Sequence, residues 1–518
     1  MTILRYTASA DTTITNAFNA SLIAAQRGTG SNMGYADSLA VFSIYGQTSS
    51  SADGQSQELS RILINFPVST ISAARTAGTI PVSGNVSFYL KMYNAETPFT
   101  LPQGFNLVVA PVSRSWTEGT GLDMDDYRDL GPANWVSASQ GVPWNSTPAL
   151  GSGGEYLTGS NYNVSFPLGY EDLELNVSDV IEKWISGADA AYSNNYGFGI
   201  RLTASQEAYY SSSAGINNGS LIHNPQGATE SYYIKKFFAR STEFFFKRPV
   251  IEARWDSRVQ DDRENVYYSS SLAPAADNLN TIYLYNYIRG RLVNIPAVGT
   301  SNIEVSFYSS SNGGILSGTN RINLPGGGDV VADLDTSATG GHVSTGIYSC
   351  SVALTAATTR LKAVHDVWHT GGVEFFTGSF YPELLPTYES APTFNRITSC
   401  TNLKKSYPRS DKTRFRFFVR NRDWSPTLYT VATANNPTDI IESASYSVQR
   451  VIDNYVAIPY GTGSDLSTYL SYDKEGNYFD LDMVLLEAGY MYEVKLSYYN
   501  DSIGDWQEQP QTFKFRVE

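Results

Sequence analysis

Hydrophobic and polar positions alternate with period two along much of the chain. "SLAVFSIYG" from Ser38, "RILINF" from Arg61, "VSFYLKMYNA" from Val86 and "FNLVVAPVSRSW" from Phe105 read as half-buried strands, because successive strand side chains point to opposite faces. The same pattern returns in "YGFGIRLTA", in "TIYLYNYI" from Thr281, "IEVSFYSS" from Ile303 and "GIYSCSVAL" from Gly346. It closes the chain in "TRFRFFVRN" from Thr413, "YMYEVKLSYYN" from Tyr490 and "TFKFRVE" from Thr512. One segment departs from it. In "NVSDVIEKWISG", Val177, Val180, Ile181, Trp184 and Ile185 recur at helical spacing, with Asn176 or Ser178 available as N-cap and Gly187 as stop, which predicts one short helix at an end of a sandwich.

The spacing of these elements predicts an all-β, multidomain chain. "FFFKRPVIEARW" from Phe244 closes a first unit and the polar "DSRVQDDRENV" follows, so the units expected are 1–256, 257–384 and 385–518. The first reads as a jelly-roll-like β-sandwich. The other two suit immunoglobulin-like sandwiches, in which Tyr348, and Tyr490 or Tyr492, look like the tyrosine that opens an F strand. No repeat of fixed period and no heptad run appears, which disfavours solenoids, propellers and fibre coiled coils.

Composition narrows the function. The chain has 36 Tyr, 24 Phe and 42 Gly with only 17% charged residues, which suits strands separated by turns. Its net charge of −14 repels a phosphate backbone, so nucleic acid is not an expected partner. Cys350 and Cys400 form no CxxC pair and read as small buried hydrophobes. No segment approaches about twenty apolar residues, and "MTILRYTASADTTIT" lacks the basic and apolar regions of an export signal; neither membrane insertion nor a signal peptide is expected.

Several motifs in order carry a family resemblance: "ADTTIT" from Ala10, "GYADSLAV" from Gly34, "SRILINFP" from Ser60, "VSRSWTEGTG" from Val112, the tryptophan pair in "NWVSASQGVPW", and "LNVSDVIEKWISG" leading to "NYGFGIRL". Over most of residues 8–254 the chain resembles the DNRLRE family, β-sandwich domains of bacterial and archaeal surface proteins and of phage structural proteins. Each motif also has a packing reading, in which Trp116, Trp135, Trp144 and Trp184 are core. The chain departs from the family in length: "YGQTSSSADGQSQEL" and the stretch from Ser205 to Arg240 read as long inserts, expected to make assembly contacts.

Candidate chemistry is sparse. "GLDMDDYRDLG" gathers Asp123, Asp125, Asp126 and Asp129, hard oxygens that can hold calcium, though not in EF-hand order; a solvated turn balanced by Arg128 accounts for the same residues. His365 and His369 in "HDVWH" would lie about 12 Å apart on a strand at a rise of ~3.3 Å per residue, too far to share a metal. "LPGGGDVV" lacks the Lys and Ser/Thr of a phosphate loop and reads as a turn. Basic and aromatic residues interleave in "YIKKFFARSTEFFFKRP" and "TNLKKSYPRSDKTRFRF", as alternation within strands would place them.

No GxSxG, HExxH or Cys/His context is present, so no enzyme and no cofactor are expected. The resemblance and the missing export signal together imply a virion component of a tailed bacteriophage, in the head or capsid, the neck or collar, or the tail. Such a protein would be made in the host cytoplasm, oligomerise, and act through interfaces with other virion proteins. The alternative expectation is a carbohydrate-binding adhesin or host-attachment protein that touches a host surface glycan. A glycan-degrading enzyme is the third, although three sandwiches leave no segment for a catalytic barrel.

Overall fold

The computed structural model describes residues 3–17, 28, 30–46, 56–97, 101–122, 131–144, 153–157, 159–208, 224–228, 231–309, 338–354, 361–384, 396–428, 438–461, 466–500 and 503–518. The chain is all-β and divides into two compact units, Met1–Asp256 and Ser257–Gly461 with Thr468–Glu518.

In the first unit two sheets face each other. One runs Ile3–Thr7, Val250–Arg254, Ser87–Met92, Leu173–Asn176. The other runs Tyr232–Phe238, Ser38–Gly46, Ser56–Asn65, Phe198–Leu202, Phe105–Pro111, Tyr162–Phe166, and Ala10–Thr15 also pairs with Ser56–Asn65. Period-two alternation sends Phe88, Leu90, Ile251 and Ala253 from the first sheet against Val41, Ile62, Ile64, Leu107, Val109 and Ile200 from the second. Tyr232–Phe238 is thus an edge strand, and this part of the expected Ser205–Arg240 insert belongs to the sheet.

The predicted helix is α2, Ser178–Ser186, with Val177, Val180, Ile181 and Trp184 buried in the same core. Its N-cap position falls on Val177. Asn176 lies one residue earlier and accepts the Ser178 N–H at 3.0 Å through its side chain, and Gly187 ends the helix at φ 61°. A further helix, α1, spans Val68–Thr76 and buries only Val68 and Ile71. The two helices are joined by a bidentate pair, Arg75 to Glu182, at 2.5 and 2.6 Å.

The second unit holds two immunoglobulin-like sandwiches. In the first, the strands run Asn280–Tyr285, Ile347–Val352, Ala338–Ser344, Ile303–Tyr308, Val364–Thr370, Val373–Phe380. Ala338–Ser344 turns the corner: its first residues pair with Ile303–Val305 and its last with Ile347–Ser349, the latter pairing broken by a register shift between His342 and Ser344. Ile282, Val305, Phe307, Tyr348, Cys350 and Trp368 fill the interior. The second sandwich sets the sheet Arg396–Cys400, Lys412–Asn421, Gly476–Asp482, Ser471–Asp473 beside one containing Phe513–Val517, Met491–Asn500 and Ala444–Arg450. Its core is a stack of rings, with Phe479 3.8 Å from Tyr446 and 5.2 Å from Phe415, and Phe417 5.3 Å from Phe513.

Of the tyrosines singled out, Tyr492 makes the corner: its hydroxyl donates to the Glu487 carbonyl at 3.0 Å and accepts the Glu487 N–H at 2.9 Å. Tyr348 ties its strand to a distant loop, donating to Gly299 O at 2.7 Å and accepting the Ile295 N–H at 3.1 Å. Cys350 is buried as expected. Cys400 is only half-buried, its thiol 3.6 Å from Asn402 Oδ1.

Candidate functional site

The acidic loop of Asp123, Asp125, Asp126 and Asp129 lies outside the described residues, as does the "PGGGD" turn. His365 and His369 fall on the strand Val364–Thr370. His369 is buried and shares a 2.8 Å hydrogen bond with Ser306 Oγ, while its Nδ1 is 3.2 Å from the Glu304 carboxylate, so its ring nitrogens serve the neighbouring strand. Among the described residues no group of three His, Cys, Asp or Glu is placed to hold a metal ion.

What the structure brings together instead is a set of buried polar joints. In the first unit, the segment around Trp135 folds over the outer face of the larger sheet. There Trp135 and Trp144 form a second small core with Ile14, Leu59, Leu63 and Val112, and Trp116 packs at its margin. Arg61 anchors it. Its guanidinium bonds Glu207 at 2.9 and 3.2 Å, donates to Gly153 O at 3.0 Å, and lies 5.2 Å from the Trp135 ring. Indole N–H groups complete the cover, Trp144 to Asn134 O and Trp116 to Tyr196 O, both at 2.8 Å. All four tryptophans of the resemblance therefore pack, Trp184 in the main core and the other three on this outer layer.

The "ADTTIT", "GYADS" and "WTEGTG" motifs meet at one buried polar cluster. Asn32 donates to Thr12 Oγ1 at 3.2 Å and to Ala133 O at 2.7 Å, and accepts the Gly34 N–H at 2.9 Å. Glu118 accepts the Asp11 N–H at 2.7 Å and pairs with Arg240 at 2.6 Å. Asp11 Oδ2 accepts the Arg240 N–H at 2.6 Å, while Oδ1 has no hydrogen-bond partner among the described residues. Burial raises the Asp11 pKa to about 7; the Arg240 N–H and charge counter this, and the Glu118 charge adds to it. Lys235, also buried, donates to Asn94 Oδ1, Gly169 O and Glu171 O at 2.7, 3.0 and 2.7 Å; desolvation lowers its pKa to about 8 against the pull of Glu171 and Asp172.

In the second unit, the entering segment serves both sandwiches. Val259 accepts the Tyr472 N–H at 2.9 Å, and the Asp261 N–H donates to Tyr472 O at 3.2 Å, adding a bridge to the strand Ser471–Asp473. Tyr472 donates to Asp262 at 2.7 Å. Arg263 then enters the other sandwich, bonding Asp366 at 2.7 and 2.8 Å and Tyr283 O at 3.2 Å. Asp366 has no exposed side-chain surface and is also held by Trp368 Nε1 at 2.8 Å. Burial raises Asp261 to about 6; Arg263 opposes the rise, and Asp262 and Asp473 add to it. Nothing in the sequence pattern marks these pairs, since Arg263 and Asp366 are 103 positions apart.

The comparisons with known proteins leave the family open. No family model matches the sequence, and no curated protein matches it significantly. Among solved structures it is similar to a chimeric titin Z1Z2-Z1Z2 tandem, at 12% identity over 50% of this chain and 96% of that one, with a TM-score of 0.15. The tandem Ig repeats of Dlar match at 10% identity over 42% of this chain and 82% of that one, with a TM-score of 0.13. Alpha-2-macroglobulin from Escherichia coli matches at 10% identity over 92% of this chain and 30% of that one, with a TM-score of 0.15. Overlaps this shallow carry no functional argument, and the strand pairings define the fold.

Proposed function

We propose that this chain is a structural component of a virion, a head, neck or tail accessory protein of a tailed bacteriophage, acting through protein–protein interfaces without enzymatic activity. The observation that supports it most is the segment Val259–Arg263. A linker that serves motion stays solvated. This one is taken up by backbone bonds and a bridge to one sandwich and by a buried bidentate ion pair to the other, which makes the second unit a single strut. Tandem sandwiches locked in this way suit a part that carries load within an assembly. The resemblance of residues 8–254 to DNRLRE domains supplies the phage context by analogy.

Purification of particles from a lysed culture of the source, followed by mass spectrometry across a density gradient, tests the proposal. The chain is expected to band with intact particles; recovery only with cell envelopes would overturn it.

The adhesin reading draws on exposed aromatic rings, chiefly Tyr170, Tyr232, Phe244 and Phe245 in the first unit. A glycan array on the purified chain separates the two: specific hits favour attachment, and an empty array favours the structural role.

A further inference from the structure

Lysine is rarely buried, because its ammonium is costly to remove from water, yet Lys235 is 1% exposed. Its strand, Tyr232–Phe238, forms an edge of the larger sheet, and past that edge Asn94 pairs with Phe237 through a single antiparallel bridge. Residues directly opposite, and those two apart along a strand, share a face, so Asn94, Phe237 and Lys235 turn to the same side. Asn94 follows the end of Ser87–Met92, a strand of the smaller sheet, by two residues.

At this edge an amine meets an amide. Lys235 Nζ is 2.7 Å from Asn94 Oδ1, and a carbonyl bond is about 1.2 Å long, so the amide carbon lies within about 4 Å of the amine. Gly169 O and Glu171 O, at 3.0 and 2.7 Å, hold Nζ in place, and the Asn94 N–H donates to Asp172 Oδ1 at 2.7 Å. The fully buried rings of Phe166 and Phe237 stand 4.9 and 5.1 Å from Nζ and keep water from it. Desolvation lowers the Lys235 pKa to about 8 against the charges of Glu171 and Asp172, so part of the amine is neutral and nucleophilic near neutral pH. A proton acceptor is at hand in Glu171: its Oε1 takes the Leu168 N–H at 2.6 Å, while its Oε2 is buried with no hydrogen-bond partner among the described residues.

We propose that Lys235 and Asn94 join in an intramolecular isopeptide bond made by the folded chain itself. The neutral Nζ attacks Asn94 Cγ and gives up a proton to Glu171; the Cγ–Nδ2 bond then breaks, and Nδ2 takes that proton and leaves as ammonia. Nothing is oxidised or reduced, and no co-reactant enters. The new bond fastens the edge of the larger sheet to the smaller one between positions 141 apart, and a link that closes so long a loop removes entropy from the unfolded chain as a disulfide does. This modification goes beyond the structural role proposed above and does not depend on it.

Intact-mass spectrometry of the purified full chain, followed by protease digestion and fragment sequencing, is the experiment. The wild-type mass is expected to fall below the sequence mass by one ammonia, and the digest to contain the Lys235 peptide joined to the Asn94 peptide. K235M, N94A and E171Q should each regain the ammonia and lose the joined peptide, with a melting curve to show that E171Q still folds. A wild-type chain at its full sequence mass, or one that loses ammonia without giving a joined peptide, would overturn the proposal and leave Lys235 as a buried amine held by its three acceptors. A joined peptide that persists in folded E171Q would overturn the part given to Glu171. The deciding mass is that of the wild type, so no variant has to fold for the proposal to fail, and none of these results bears on whether the chain bands with particles.

Discussion

Asp11 sits on the strand Ala10–Thr15 with one carboxylate oxygen on the Arg240 N–H and the other without a hydrogen-bond partner among the described residues, and burial lifts its pKa to about 7 from an ordinary 3.8. The folded state therefore holds this proton more tightly than the unfolded one. The stability it contributes is fully present below about pH 4 and is lost as pH rises through about 7. Wild type should be less stable at pH 8 than at pH 5 by on the order of a few kcal/mol, and D11N, whose amide oxygen keeps the Arg240 bond, should remove most of that difference. Parallel wild-type and D11N profiles across this range in calorimetry would contradict the assignment. Glu252 works in the opposite sense. Burial alone would raise it, but Arg5, Lys91 and Arg254 hold it at about 2, below its ordinary 4.5, so its contribution is present above about 4.5 and fades as pH falls through 2. In the second unit, removing Arg263 leaves the buried Asp366 carboxylate with Trp368 as its side-chain donor among the described residues; R263A should cost about 3–5 kcal/mol, read by denaturant unfolding. A Cβ at Gly378 would fall 2.4 Å from Arg263 Nη1 and 2.7 Å from Asp366 Oδ1, so G378A should destabilise the same joint.

Among the elements, the segment over the outer face of the larger sheet in the first unit depends on Trp135, which is 1% exposed. W135A should cost about 3–5 kcal/mol locally. Limited proteolysis should then cut near residues 131–157 while the main core, to which Trp135 does not belong, stays protected. Early cleavage throughout the first unit would contradict this separation. The strands themselves were legible, because Ile62, Ile64 and Phe66 announce a buried face, and so was α2, because Val180, Ile181 and Trp184 recur at helical spacing. Period two could not reveal that Leu63, on the opposite face, is also covered, since its cover comes from residues far along the chain. Helix α1 escaped notice because it offers only Val68 and Ile71 as apolar anchors within a Ser-, Thr- and Ala-rich stretch. Of the run "FFFKRPVIEARW" that closes the first unit, the strand begins only at Val250; Pro249 lacks an N–H, and the Thr242 carbonyl holds Arg248 outside the sheet. Of the candidate site, the residue types were visible and their pairings were not, because ion pairs such as Arg61–Glu207 join positions 146 apart.

For the whole molecule, the two compact units predict two calorimetric transitions, with the second unit melting as one because Val259–Arg263 fastens both of its sandwiches. Separate melting of those two sandwiches in wild type would mean that the joint does not hold them as a strut. The role proposed for this architecture, a built-in part of a virus particle, is tested most directly by antibody-gold electron microscopy of purified particles. The account predicts gold at one fixed position on the particle, the same from particle to particle. Unlabelled particles beside labelled cell envelopes would contradict it.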